Sequence, residues 1–318
     1  MGHGLYNSGV TANYMATRSA MGRSVMAYSD SISRGETARV VHPKLDPKRP
    51  NRDGRIVRES RDNEEHPNSV PVAVIFDTTG SMGHIPALCV EKLGALMDLI
   101  SERKYLADPQ VLFGAVNDST TADVAALEVG QFESGNQMDD ALTNIFSGQS
   151  GGGGSSEESY ELAMYFFAKK TELDSLIKRN KKGYLFFIGD ETPYPYVDKD
   201  EVKTWIGDTI QDDIPTEQIL TELKEKFEVF WLFPGDASNS GNERIQNRLK
   251  QLFGQRFLKM PSSADVCPTI AAAIAINEGR KPKEVAAELK VALGKAAVDN
   301  VIAEIVDSIP PRHLDLDL

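Results

Sequence analysis

Apolar residues along the chain fall into short unbroken runs and longer, spaced patterns, and the two alternate. Val72-Ala73-Val74-Ile75-Phe76 is a continuous run rich in β-branched residues that ends at Asp77, the pattern of a strand buried on both faces. The polar turn Thr78-Thr79-Gly80-Ser81-Met82-Gly83 follows. Ile85, Leu88, Leu93, Leu96, Met97 and Ile100 then recur near helical spacing, with Pro86 suited to the first turn. Further strands are predicted over residues 110–116, 124–132, 184–188 and 229–233, with 256–260 as an edge strand. Helices are predicted over 138–146, 157–169, 199–206, 216–226, 243–253 and 264–277.

Buried strands separated by helices define the fold class: α/β, with a doubly wound, mostly parallel sheet covered on both faces. In such sheets, sites form beyond the carboxyl ends of the strands. The pattern also divides the chain. Residues 1–69 lack apolar periodicity and are broken by Pro43, Pro47, Pro50 and Pro67, so a mostly extended N-terminal arm is expected. Residues 70–279 form the α/β domain. Residues 280–318 read as a helical tail, with Val285, Leu289 and Leu293 on one face and Val298, Val301, Ile302 and Ile305 on another.

Composition changes this picture mainly through charge. The formal net charge is −12, yet residues 1–61 are net basic. The acidic excess therefore belongs to the body, which argues against broad nucleic-acid or anionic-membrane binding. A basic arm draped over an acidic body is the simplest expectation, and a docking arm for a partner is the sharper one. Cys89 and Cys267 are the only cysteines and sit in apolar surroundings, as buried thiols do. The opening MGHGLYNSGV lacks a basic stretch followed by an apolar run, and no run approaches membrane-spanning length. A cytoplasmic protein without membrane association is expected.

Three polar clusters lie where predicted strands end or helices open: Asp77-Thr78-Thr79-Gly80-Ser81, the run from Gly151 to Glu157, and Gly189-Asp190-Glu191-Thr192. Their Asp, Ser and Thr oxygens are hard donors, and the clusters contain no Cys or His at ligand spacing, which argues against zinc. In the D-x-T-x-S turn, Asp77, Thr79 and Ser81 can converge on one ion. Mg²⁺ suits such oxygens, with Mn²⁺ or Ca²⁺ as alternatives. Other chemistries fit less well. A haloacid-dehalogenase-type phosphatase needs a second Asp where Thr79 stands. A phosphate loop needs a Gly-Lys-Ser/Thr ending that the glycine run lacks. Ser81 has no readable His partner for nucleophilic work.

The segment PVAVIFDTTGSMG resembles the first metal-site motif of the von Willebrand factor A (VWA) domain, D-x-S-x-S, with Thr79 in place of the middle serine. YLFFIGDETPY resembles the third motif and maps onto Asp190. GGGGSSEESYELA resembles the second loop, with Ser155 best aligned and Ser156 and Glu157 as competitors. The resemblance spans residues 70–279. It implies a Rossmann-like sheet and a metal-ion-dependent adhesion site (MIDAS) formed by Asp77, Thr79, Ser81, Ser155 and Asp190. It also implies binding without catalysis, through an Asp or Glu carboxylate that a protein partner offers to the metal. Relatives of this type work beside AAA+ ATPases or in multi-subunit assemblies, so an adaptor is expected. The alternative is a structural or assembly component, a virus-encoded one included, with metal-independent subunit contacts through arm and tail.

Overall fold

The computed structural model describes residues 4–20, 25–122, 124–147, 156–293, 301 and 305. Its centre is a six-stranded, mostly parallel sheet in the order Phe257–Met260, Phe227–Pro234, Gly183–Ile188, Ser69–Asp77, Asp108–Val116, Leu127–Val129. Only the last strand runs antiparallel, pairing Val116 with Leu127. Ser69–Asp77 is the middle of the site-bearing part. It pairs with Asp108–Val116 along its whole length and with Gly183–Ile188 through Phe76 opposite Ile188. This register brings the end of the Asp77 strand level with Gly189, so Asp190 emerges beside Asp77.

The strands read as continuous apolar runs because both faces of the sheet are buried. Val72, Val74, Phe76, Phe186 and Ile188 face one apolar cluster, while Ala73, Ile75, Leu185 and Phe187 face the other. The first cluster takes side chains from helices Ile85–Leu93, Leu96–Glu102 and Val266–Asn277, and the second from Tyr160–Lys169, Thr216–Lys226 and Glu243–Phe253. Cys89 and Cys267 are free and buried, and burial raises the pKa of both thiols, so they act as small apolar residues.

The leader is not extended throughout. Ser8–Ala20 and Ala27–Ser33 are helices, and Arg58–Ser60 is a strand parallel to Thr171–Leu173. The cause is docking rather than local periodicity, since isolated helices this short gain their stability from tertiary contacts. The Thr11 hydroxyl donates to Asp139 Oδ2 at 2.7 Å, Ser29 donates to the Ile145 carbonyl at 3.2 Å, and Ile32 packs beside Phe146. Several basic residues of this segment pair with acids of the body. Arg55 and Arg61 pair with Glu172, Arg61 also with Asp174 at 3.0 Å, and Lys44 with Asp140 at 2.8 Å.

Arg58 is fully buried. Its guanidinium donates to the carbonyls of Gly130 (2.8 Å), Arg49 (3.0 Å) and Asp46 (2.7 Å) and lies 5.4 Å from the centre of the Phe166 ring. It thus ties the leader to the sheet edge and to a helix of the opposite layer.

Other boundaries shift for local reasons. The helical pattern over residues 85–100 is broken into two helices at Gly94 and Ala95. The helix expected from residue 157 starts at Tyr160, because Glu157–Glu158 pairs in parallel with Thr192–Pro193. In the tail, Pro282–Leu293 is helical. Val285, Leu289, Val301 and Ile305 are buried in the first apolar cluster; the other expected tail positions lie outside the described residues or have no described side chain. Among the described residues, no helix is long and apolar enough to cross a membrane.

Candidate metal centre

Asp77 is the last residue of its strand and is completely buried. Its carboxylate is held from two sides. Oδ1 accepts from the Thr79 backbone N–H at 2.7 Å, which closes the turn, and Oδ2 accepts from the Tyr160 hydroxyl at 2.8 Å. Tyr160 is itself fixed in an aromatic wedge, 4.5 Å from Trp231 and 6.2 Å from Phe187 between ring centres. The Trp231 indole donates to the Gly189 carbonyl at 3.0 Å. Gly189 is required here: a Cβ at this position would lie 1.7 Å from the Tyr160 hydroxyl.

The turn after Asp77 presents the other expected groups. Thr79 is 2% exposed, and its Oγ1 lies 3.3 Å from Ser81 Oγ. The Ser81 hydroxyl donates to Asp190 Oδ1 at 2.8 Å. Asp190 is fully buried, and its Oδ2 accepts from the Asn239 backbone N–H at 2.9 Å. The Ser238 N–H donates to the Ser81 carbonyl at 3.2 Å, so the loop after the Phe227–Pro234 strand closes the rim. Asp77, Thr79, Ser81 and Asp190 therefore meet at one sheet edge. Ser155 lies outside the described residues, as does the glycine run before it.

Four neighbours carried no role in the sequence reading. Glu191 brings a third carboxylate: ligand oxygens of Asp77, Asp190 and Glu191 lie within 4.8 Å of one another. Asn239 binds Asp190 through its backbone and donates its side-chain amide to Glu191 Oε1 at 3.3 Å. Tyr160 holds Asp77. Glu158 is 1% exposed, and its Oε2 has no donor among the described residues. Glu191 had a signal, being adjacent to Asp190 at a strand end. Glu158 and Asn239 had none, because their loops return from distant parts of the chain.

Two competitors for the second-loop position lie beside Thr192. The Ser156 carbonyl accepts from the Thr192 N–H at 3.1 Å, and Glu157 pairs opposite Thr192. Asp118, considered as an outer-shell group, folds onto its own turn. It accepts from the Thr120 N–H and hydroxyl at 2.9 and 2.7 Å and from the Tyr194 hydroxyl at 3.1 Å. His84 is exposed and makes no side-chain cap to the helix it precedes.

Electrostatics shows what this arrangement needs. Burial, with Asp190 nearby, pushes the Asp77 carboxyl up to about 7. Burial also raises Glu158, where Asp77 adds to the effect, and raises Glu191, where Asp190 does. Buried carboxyls this close cannot all ionise without a compensating positive charge. The donor set fits one: hard carboxylate and hydroxyl oxygens around one point are the ligands of Mg²⁺ and Ca²⁺. The unpartnered Glu158 oxygen is the sort of atom that a cation satisfies.

No family model matches the chain, and no curated protein matches it. Among solved structures, the chain is similar to the pilus adhesin SpaC from Lactobacillus rhamnosus GG, with 13% identity and a TM-score of 0.46 over 69% of this chain and 32% of that one. It is also similar to proximal thread matrix protein 1 from the mussel byssus, with 10% identity and a TM-score of 0.41 over 65% of this chain and 47% of that one. The chain thus spans less than half the length of these structures.

Proposed function

We propose that the chain carries a VWA-type module: a doubly wound sheet whose edge holds a divalent cation, which in turn accepts an Asp or Glu side chain from a partner protein. The observation that carries this reading is the convergence of Asp77, Thr79, Ser81 and Asp190 from two strand ends that are adjacent in the sheet. Asp77 and Asp190 are sealed from solvent, whereas Ser81 and Glu191 are partly exposed, so an incoming ligand approaches over Ser81 and Glu191. The role is binding rather than catalysis, as an adaptor in an assembly. A positioned proton-transfer pair is not needed for it.

The alternative, a scaffold that assembles through its basic leader, draws less support. The leader's Arg55, Arg58, Arg61 and Lys44 already bind within the chain.

The test is calorimetric titration of the purified full chain with Mg²⁺, Mn²⁺ and Ca²⁺, beside Asp77→Asn. Saturable one-site binding by the wild type that Asp77→Asn loses is the expected result. No binding of any of the three ions overturns the reading. For a partner, capture on immobilised wild type must disappear both in chelator and with Asp77→Asn; capture indifferent to both rejects the adhesion mechanism.

A further inference from the structure

A cavity of about 290 Å³ opens on the flank of the candidate metal centre. The two segments that shape the metal edge also build this cavity. One is the chain that follows Asp190 and Glu191. Its Thr192 and Pro193 form a wall, and the Thr192 N–H ties that wall to the Ser156 carbonyl at 3.1 Å. The other is the loop that reaches Asp190 and Glu191 through Asn239. The Asn242 N–H donates to the Asn239 carbonyl at 2.8 Å, and the Asn242 side chain caps helix Glu243–Phe253, accepting from the Arg244 N–H at 3.1 Å. Arg244 and Arg248, one turn apart on this helix, line the cavity beside the buried Ile245. The charges here run against those of the metal edge. Among the described residues that line the cavity, Glu157 is the one acid against two arginines. Arg248 is paired with Glu217. Arg244 is exposed, and its guanidinium makes no ion pair or hydrogen bond among the described residues. A chain of net charge −12 thus keeps an uncommitted positive group beside a cluster of three carboxylates.

We infer that this cavity takes a second acidic side chain of the partner, an Asp or Glu carboxylate held by Arg244 while a first carboxylate completes the shell of the cation. The inference rests on the proposed metal site and adds a requirement on the partner: a segment with two acids rather than one. A guanidinium presents parallel N–H donors that match a carboxylate in a fork. Its single uncompensated charge suits a monoanion. A phosphate group would bring nearly two negative charges beside Glu157, with Arg248 already neutralised by Glu217. The apolar walls of Pro193, Pro195 and Ile245 limit water around the pair and strengthen it. An exposed ion pair alone contributes little, but once the first acid is on the cation the second contact is intramolecular and gains from a high effective concentration. The two anchors are also coupled through charge. Without the cation, the carboxylates of Asp77, Asp190 and Glu191 repel a doubly acidic segment, and Arg244 alone cannot hold it.

The experiment uses the full chain, saturated with whichever of Mg²⁺, Mn²⁺ and Ca²⁺ it binds most tightly by calorimetry. The probes are fluorescein-labelled peptides of Gly and Ser that carry either one Glu or two, read by fluorescence anisotropy. The two Glu are separated by zero to about four residues, each extended residue adding about 3.5 Å of reach. At the best spacing, a two-Glu peptide is expected to bind wild type at least about tenfold more tightly than a one-Glu peptide, and chelator is expected to abolish the binding of both. Arg244→Gln is expected to bring the two-Glu peptide to within about twofold of the one-Glu peptide, while cation affinity and one-Glu binding keep their wild-type values. Arg244→Lys keeps the charge without the fork and is expected to retain part of the gain. Equal affinity for one-Glu and two-Glu peptides at every spacing, or an advantage that survives Arg244→Gln, overturns the role of the cavity while leaving the metal site standing. Failure of the cation-loaded protein to bind any of the peptides does the same. A peptide with phosphoserine in place of the second Glu that binds about tenfold more tightly than the two-Glu peptide overturns the choice of a carboxylate. A wild type that takes up no cation removes the metal site and the proposal with it.

Discussion

The Ser81 hydroxyl donates to Asp190 Oδ1 across 2.8 Å, joining two turns 109 positions apart in sequence. Both turns leave the carboxyl ends of neighbouring strands, and the pairing of Phe76 with Ile188 sets their separation. The bond therefore depends on sheet register: a slip of one residue would turn every side chain of that strand to the opposite face.

Replacing Asp77 by Asn keeps its shape and removes a buried charge. The chelated protein is expected to retain its midpoint, and the cation-induced rise in midpoint is expected to vanish. Differential scanning calorimetry with and without about 1 mM cation, a concentration on the order of 1,000 times a Kd of about 1 µM, checks both. A variant whose midpoint still rises like wild type contradicts the role given to Asp77.

Gly189→Ala tests the aromatic wedge. The added methyl meets the Tyr160 hydroxyl at 1.7 Å, and Tyr160 is too tightly enclosed to withdraw freely. Overpacking of this sort costs roughly 1–3 kcal/mol. Denaturant unfolding is expected to show that loss, and the cation affinity is expected to fall with it, because Asp77 loses its tyrosine donor. Combining Gly189→Ala with Tyr160→Phe removes the nearest clashing atom but leaves the ring carbon Cζ 2.6 Å from the new methyl, so it is expected to recover only part of the stability and none of the lost tyrosine donor.

Arg58→Ala is expected to be among the most damaging single changes in the leader. It leaves buried carbonyls of Gly130, Arg49 and Asp46 without their donor, at about 3 kcal/mol or more in total. Arg58→Lys is expected to recover little, since an ammonium on a flexible stem cannot reproduce the planar fork. Urea denaturation curves for the three proteins decide the point. Equal stability of wild type and Arg58→Ala would show the leader to be energetically detached.

Glu128 sets a pH dependence away from the metal edge. It is buried in the antiparallel edge strand, and burial pushes its carboxyl from 4.5 up to about 8, opposed by the Phe146 N–H that it accepts. The folded protein holds this proton where the unfolded chain has lost it. Its contribution is therefore fully present below about 4.5 and is lost as pH rises through about 8. Glu128→Gln is expected to flatten that share of the fall in thermal midpoint measured in chelator. An identical pH profile for wild type and variant would disprove the assignment.

Much of the sheet was legible because its strands are short apolar runs ending in Asp or Gly. Thr216–Lys226 and Glu243–Phe253 match the predicted helices residue for residue. The leader was not legible. Its helices carry few apolar residues of their own, and Arg58 looks like any basic loop residue until its carbonyl partners are assembled around it. At the site, Asp77 and Asp190 were visible as strand-terminal acids. Glu158 was hidden inside a stretch that reads equally well as the start of a helix, and Asn239 acts on Asp190 through its backbone N–H, to which side-chain identity gives no clue.

By itself the amino-acid order determined the alternation of buried strands and helices and the kinds of oxygen donor placed at strand ends, because periodicity and residue chemistry are local properties. Only the tertiary structure decided which acids share one buried space, that Glu191 stands beside Asp77 and Asp190, and that Lys44, Arg55, Arg58 and Arg61 of the leader bind within the chain. Those outcomes depend on register and desolvation, which act between residues far apart in sequence and exist only once the chain has closed on itself.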